Sequence, residues 1–133
     1  IEEMRFFNLL QKAVTYDPTV ITPEQTLYAA TRAGALGQQR SDCGFIKEGF
    51  KADLTVLDTD TVYMKPVHNL LNNLVYAASG NDVVLTMVDG KVLYRDGVYP
   101  SLDLERIIYE CEKGRQRILG ALAAEQVPDL NVK

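Results

Sequence analysis

The stretch GFIKEGFKADLTVLDTD, residues 44–60, is where the apolar pattern of the chain changes from helical to strand-like. Its two glycines, Gly44 and Gly49, suit the positive backbone angles that tight turns require. The pattern predicts a short strand over 43–46, a tight turn near 47–49 and a second strand over 52–57.

Side chains in the second strand should alternate between the two faces of a sheet. We therefore expect Leu54 and Val56 to face inward, and Asp53 to accept hydrogen bonds where the strand begins. The acidic run at 58–60 lacks the glycine and the distal glutamate of a calcium-binding loop, so we interpret it as a strand end. The passage is rich in structural signals and poor in reactive groups.

Further strand and turn signals follow. The segment TVYM at 61–64 predicts a short strand. The segment at 82–99, DVVLTMVDGKVLYRDGVY, predicts a β-hairpin, because Asp89-Gly90 supplies the two positive-φ positions of a type I′ turn. A second Asp-Gly pair at 96–97 turns the chain again.

Two helices are predicted before these strands. The first helix begins at Ile1, and its apolar face consists of Ile1, Met4, Phe7, Leu10 and Val14. No capping residue precedes it, which indicates that the chain is a piece of a longer one or that a leader was trimmed. The second begins at a capping box of Thr22, Pro23 and Gln25 and should end at Gly37. Its small residues should let a neighbouring backbone approach closely.

Two more helices are predicted after residue 65. The third should start at Pro66 and end at Gly80, with one apolar stripe of Val67, Leu70, Leu71, Leu74, Val75 and Ala78. The fourth should run from about 102 to 125, with an apolar face of Leu104, Ile107, Ile108, Cys111, Ile118 and Leu122. We expect the tail after it to be irregular.

Composition limits the classes of function. The 133 residues are 47% hydrophobic and 24% charged, as in globular proteins, and the net charge of -4 leaves no basic face for nucleic acid. No apolar run reaches the ~20 residues of a membrane span. Cys43 and Cys111 are far apart without a C-x-x-C spacing, which favours two reduced thiols in a cytoplasmic protein over a disulfide.

Reactive residues are few. His68 is the only histidine and follows an apolar residue near the predicted start of a helix, so we interpret it as a surface residue. A hydrolytic metal site needs several imidazole or thiolate ligands that converge, which one histidine and two isolated cysteines do not supply. The serines lie in no G-x-S-x-G elbow, and the glycines form neither a dinucleotide nor a phosphate loop. We therefore predict no catalytic, cofactor-binding or metal-binding residue in this chain.

Two longer passages resemble one known family. These are ATRAGALGQQRSDCGFIKEGFKADLTVLD at 30–58 and PVHNLLNNLVYAASGNDVVLTMVDGKVLYRDG at 66–97. Their order of motifs is similar to the C-terminal end of metal-dependent amidohydrolases, in the group that contains chlorohydrolases and the deaminases of S-adenosylhomocysteine and methylthioadenosine. The match covers most of residues 1–100, and its combined spacing is specific.

The resemblance implies an α+β fold with three segments. Residues 1–38 resemble the last helices of a TIM-like barrel. Residues 39–100 resemble a small β-sandwich-type sheet with hairpins and one helix at 66–79, and residues 101–133 form a C-terminal helix and tail.

The resemblance also implies that the chemistry lies elsewhere. In such enzymes zinc or iron is held by histidines and an aspartate at the ends of barrel strands, and a metal-bound water attacks a purine- or triazine-like ring. None of those ligands matches a position here, so we expect no cofactor in this chain and zinc or iron in its parent.

The expected partners are the remainder of the parent enzyme, its barrel and N-terminal strands, and further copies of this chain, with neither nucleic acid nor membrane involved. Self-association could use edge pairing, helix packing or exchange of the first helix. A free-standing interaction module without enzymatic activity is the alternative interpretation.

Overall fold

The computed structural model describes residues 1–124 of the chain. These form two compact units, which meet in sequence between Val98 and Tyr99. The first unit contains four α-helices and one β-sheet, and the second contains a single long helix. The result is a small α+β protein, as the sequence predicts.

The sheet has three antiparallel strands in the order β1 (Leu54–Leu57), β2 (Val83–Val88) and β3 (Lys91–Arg95). The predicted hairpin is confirmed, because β2 and β3 pair across a turn with φ of 50° at Asp89 and 77° at Gly90. The predicted turn at 96–97 is also confirmed, since both residues have positive φ and Arg95 then pairs with Val98.

The second predicted helix is confirmed from its first residue to its last. It runs as α2 (Pro23–Tyr28), a π-helical turn (Ala29–Ala33) and α3 (Gly34–Gly37). The capping box is present: Thr22 Oγ1 accepts from the Gln25 amide at 3.3 Å, and Gln25 Oε1 accepts from the Thr22 amide at 2.9 Å.

Two of the predicted strands are wrong. Residues 43–46 form an irregular loop, because Gly44 lies against the helix at Arg32 and the loop's carbonyl groups are bonded by that arginine instead of by a strand. Residues 62–64 form a 3₁₀ helix (Val62–Met64), which buries Met64.

Two predicted details need correction. Helix α4 (Leu70–Tyr76) begins four residues after Pro66, because Asn69 Oδ1 accepts from the amides of Leu71 and Asn72 and so caps the helix there. It also ends at Tyr76, before the predicted Gly80, because Ser79 caps a separate 3₁₀ helix that starts at Gly80. Val56 does not face inward: it is 46% exposed, and a register shift between Val56 and Leu57 makes Leu57 the better covered of the two. Leu54 is half-buried, as expected.

Helix α1 (Glu2–Thr15) packs against α2 and α4, and the buried apolar side chains of the first unit are few: Cys43, Met64, Val75 and Ala78. A short 3₁₀ helix (Gly80–Asp82) leads from α4 into β2. So small a core means that polar contacts have a large share in positioning these helices.

The second unit contains α5 (Leu104–Ala124), which confirms the predicted C-terminal helix. Asp103 Oδ1 accepts from the Arg106 amide at 3.0 Å and satisfies one of the free donors at the start of α5. The predicted tail lies outside the described residues. Among residues 1–124, no helix combines the length and the apolar character needed to cross a bilayer.

Candidate functional site

The side of α1 that faces the rest of the chain is polar. Lys12 Nζ donates to the Tyr76 hydroxyl at 2.6 Å, which donates to Asn8 Oδ1 at 2.7 Å. Asn8 Nδ2 donates to Thr26 Oγ1 at 2.8 Å, and that hydroxyl donates to the Thr22 carbonyl oxygen at 3.0 Å. Asn8 is completely buried, so these bonds form a directed network between α1, α2 and α4.

Two further contacts hold the same side of α1. Arg5 Nη2 donates to the carbonyl oxygen of Ala78 at 2.7 Å, and the ammonium group of Lys12 lies 5.3 Å from the ring centroid of Tyr76. Because buried polar groups are costly unless bonded, this network fixes the position and rotation of α1 on its neighbours.

The apolar side of α1 lies outward. Of the predicted apolar face, Phe7, Leu10 and Val14 are exposed, whereas Ile1 and Met4 are half-buried. Phe6 is 71% exposed beside them. Most of this apolar face is therefore exposed in this chain, because Asn8 and Lys12 take the places against α2 and α4. We call the exposed set of Phe6, Phe7, Leu9, Leu10 and Val14 the outer face of α1.

An arginine holds the irregular loop that follows the second helix. Arg32 Nη1 donates to the carbonyl oxygens of Ser41 at 3.0 Å and Cys43 at 2.7 Å. Its guanidinium carbon also lies 5.3 Å from the ring centroid of Phe45 and 5.4 Å from that of Phe50. This arrangement fixes a loop that has no strand of its own to pair with.

The close approach expected at the second helix is made by Gly44, which has a φ of 86°. A Cβ at this position would lie 2.8 Å from Arg32 Cα, 3.1 Å from the Thr31 carbonyl oxygen and 3.2 Å from Ala35 Cβ. Only glycine fits both the backbone angle and the available space.

Asp53 accepts two hydrogen bonds at the start of β1, which confirms its predicted role. The Asp89 amide donates to Oδ1 at 2.7 Å and Arg40 Nη2 donates to Oδ2 at 2.9 Å. The backbone bond from Asp89 first, and then the Arg40 guanidinium, hold the pKa of Asp53 below its ordinary value. Asp53 therefore ties the strand start to the hairpin turn and to the loop before it.

A second aspartate, Asp82, connects neighbouring segments by hydrogen bonds at the other end of β1. Asp82 is 2% exposed and accepts from the Tyr63 hydroxyl and from the Ser79 amide. These two donors, in that order of importance, lower the pKa of Asp82. Its carbonyl oxygen accepts from the Asp58 amide at 2.7 Å.

Asp53 makes stability depend on pH. Because its pKa is depressed in the folded state, its stabilisation is complete above an unfolded-state pKa of about 4 and is lost as the pH falls through the folded value. We expect Asp53→Asn to lower the urea midpoint at pH 7, and the gap from wild type to shrink at pH 3.

The matched control is Asp96→Asn, since this carboxylate has no hydrogen bond or ion pair among residues 1–124. The urea midpoint of that variant should equal the wild-type midpoint at both pH values. A gap at Asp53 that is equal at pH 7 and pH 3 would show that the carboxylate charge is not what matters.

The described residues do not fit a hydrolytic metal centre. His68 is exposed in the segment before α4, Cys43 is buried and Cys111 is exposed. Within residues 1–124, no group of three or more histidine, cysteine, aspartate or glutamate side chains could hold a metal ion. A zinc or iron centre would need ligands that this part of the chain does not bring together, so no chemical step is assigned to it.

Sequence reasoning identified Asp53 but missed Asn8, Arg32, Tyr76 and Asp82. One signal was available for Asn8, because it interrupts the apolar run FFNLL in the middle of a helix. The aromatic residues at 45 and 50 gave no comparable signal for Arg32, since the contact depends on a loop conformation.

Comparisons with known proteins agree with this architecture. The amidohydrolase family model matches residues 1–93. The chain therefore belongs to the amidohydrolase family.

Individual relatives narrow the similarity. The chain is 41% identical over 121 residues to the 5-methylthioadenosine/S-adenosylhomocysteine deaminase of Desulforamulus reducens, a match that covers 90% of this chain and 28% of that protein. It is 43% identical over 98 residues to the enzyme of the same name from Thermococcus onnurineus, which covers 72% of this chain and 22% of that protein.

Solved structures show the same relation. An adenosine deaminase from Xanthomonas campestris with bound zinc matches with a TM-score of 0.84 and 31% identity, over 89% of this chain and 27% of that one. Atrazine chlorohydrolase TrzN from Arthrobacter aurescens TC1, complexed with zinc, matches with a TM-score of 0.74 and 26% identity. That match covers 82% of this chain and 24% of the chlorohydrolase. The chain thus spans about a quarter of the length of the proteins that it matches.

Proposed function

We propose that this chain is the C-terminal, non-catalytic scaffold portion of an amidohydrolase-family hydrolase. In this proposal residues 1–38 belong to the end of a catalytic barrel, 39–100 to a β-sandwich-type domain and 101–133 to a C-terminal helix and tail. The whole enzyme would act in the cytoplasm, where reduced thiols persist.

One observation carries the proposal. Nine-tenths of the chain aligns with a deaminase, yet that alignment accounts for only 28% of the deaminase. The aligned portion is built from capping residues, turn glycines and a polar network, and its described part brings no metal-ligand set together. Scaffold is the function that these residues can perform.

The exposed outer face of α1 supports the proposal that the remainder of the parent enzyme is a partner of this chain. A helix that turns its polar side to its own chain and its apolar side outward is suited to burial on both sides. Phe45 and Ile46 at the loop tip are also exposed, Ile46 by 93%. Both edges of the three-stranded sheet are available to further strands, which a sandwich would need.

The names of the relatives indicate the reaction of the whole enzyme. Deaminases of methylthioadenosine, S-adenosylhomocysteine and adenosine cleave a C–N bond, and atrazine chlorohydrolase cleaves a C–Cl bond, each on a heteroaromatic ring. We propose hydrolytic deamination or dechlorination of a purine- or triazine-like ring. Zinc or iron would be held by residues outside this chain, and self-association is expected through the exposed apolar surfaces.

The experiment compares this chain with the polypeptide encoded by its full reading frame. We expect ammonia release from 5-methylthioadenosine or S-adenosylhomocysteine, or chloride release from a chlorotriazine, only for the longer polypeptide supplied with zinc. An in-frame His-x-His motif upstream belongs to the same expectation. A start codon near Ile1, with no upstream coding sequence in the same frame, would instead favour the free-standing interaction module.

A further inference from the structure

Helix α5 carries bulky apolar residues that the structure leaves uncovered. Six of them expose between 40% and 67% of their surface. They are Leu104, Ile107, Ile108, Ile118, Leu119 and Leu122. The helix of 21 residues is about 32 Å long, which is long enough for a stable helix pair.

The charges of α5 are divided between its two halves. Residues 104–112 contain three acidic side chains and one basic one, whereas residues 113–124 contain three basic side chains and no acidic one. Two parallel copies of α5 would place like charges side by side. Two antiparallel copies place the acidic half of each helix beside the basic half of the other, with opposed helix dipoles.

The apolar residues of α5 fit this arrangement. Leu104, Cys111 and Ile118 recur every seven residues, with Ile107 and Gly114 at the intervening positions of a heptad seam. An antiparallel pair centred between residues 112 and 113 places Ile107 of one copy against Ile118 of the other. It also places Cys111 opposite Gly114, so the residues at the centre of the seam are small.

Within residues 1–124, no close contact explains the glycine at position 114. A Cβ there would meet no atom within 4 Å, so alanine would fit and would favour the helix. A second helix could approach closely at the centre of the seam, because Gly114 has no side chain to keep it away.

We propose that α5 pairs antiparallel with α5 of a second copy of this chain, as an isologous two-fold dimer. The inference rests on the self-association part of the proposed function and identifies its surface. In this pair Glu110 of each copy lies beside Arg117 of the other. Neither residue forms an ion pair within residues 1–124, whereas Arg115 is already bound to Glu112 with Nε–Oε2 at 2.9 Å.

The test measures the dimer dissociation constant of the full chain by sedimentation equilibrium. Glu110→Arg and Arg117→Glu should each weaken the dimer by about tenfold or more, and the double swap should restore it, because the cross-pair is rebuilt with reversed polarity. Ile107→Asp should also dissociate the dimer. Tyr109→Asp, an equally drastic change on the opposite side of α5, should not.

Circular dichroism of each variant checks that α5 remains helical. A wild-type chain that stays monomeric at all concentrations overturns the proposal, as does a double swap that fails to restore the dimer. A dimer that is indifferent to Ile107→Asp also overturns it and assigns self-association to another surface, such as the outer face of α1 or a sheet edge. A monomeric chain would also remove the self-association part of the proposed function, whereas the role as part of a hydrolase is tested separately by ammonia or chloride release.

Discussion

Gly44→Ala should lower the free energy of unfolding by about 2–5 kcal/mol. Two causes act together at this position. The backbone φ of 86° strains any side chain, and the new Cβ would lie 2.8 Å from Arg32 Cα, a backbone atom that cannot rotate away. The loop would have to leave the helix, and the bonds from Arg32 to the carbonyl oxygens of Ser41 and Cys43 would be strained with it.

Gly49→Ala separates the two causes. Gly49 has nearly the same φ, 81°, but a Cβ there would meet nothing within 4 Å. We expect this control to cost only the backbone strain, about 1 kcal/mol. Urea denaturation at one fixed protein concentration measures both variants. Equal losses at the two positions would show that Gly44 is a turn residue only and that the loop does not depend on contact with the helix.

Asn8→Ala should cost about 2–4 kcal/mol, because it removes two buried hydrogen bonds and leaves a cavity. The Tyr76 hydroxyl would lose its acceptor and Thr26 Oγ1 its donor, both between packed helices. Asn72→Ala is the matched control on an exposed position of α4 and should change stability little.

A double-mutant cycle with Tyr76→Phe tests whether the network acts as a unit. The two changes remove the same bond between Tyr76 and Asn8, so the double variant should lose clearly less than the sum of the single variants. Strict additivity in urea denaturation would mean that α1 is held by Arg5 and by apolar contacts, and not by the network.

The elements that the sequence predicts well are those specified by local chemistry. The capping box at Thr22 and the Asp89-Gly90 turn each depend on residues within four positions of one another, and both are present. The sequence also predicted that Asp53 accepts hydrogen bonds at the strand start, but not its donors, since Asp89 and Arg40 lie 36 and 13 residues away.

The wrong predictions concern segments whose conformation depends on distant partners. Residues 43–46 have the composition of a strand but lie against Arg32, and Val56 has a strand's alternation but lies beside a bulge. The periodicity of α1 identifies its apolar side but not which side the chain buries. That choice depends on Thr26 and Tyr76, which are 18 and 68 residues away from Asn8.

The sequence motifs at 30–58 and 66–97 were the most useful functional signal, since they carry the resemblance to amidohydrolases that the family match confirms. The sequence has one histidine and two separated cysteines, which gave no signal for a hydrolytic metal centre. The chain spans only 28% of the Desulforamulus reducens deaminase, so most of the residues that could determine a substrate lie in parts of that relative that this chain does not match.

The most direct test of the central claim is the zinc content of the purified 133-residue chain after equilibration with the metal, measured together with its ammonia release from 5-methylthioadenosine. We expect less than stoichiometric zinc and no turnover above a buffer blank. One tightly held zinc per chain with measurable deamination would contradict it, because a complete hydrolytic centre would then lie within this polypeptide.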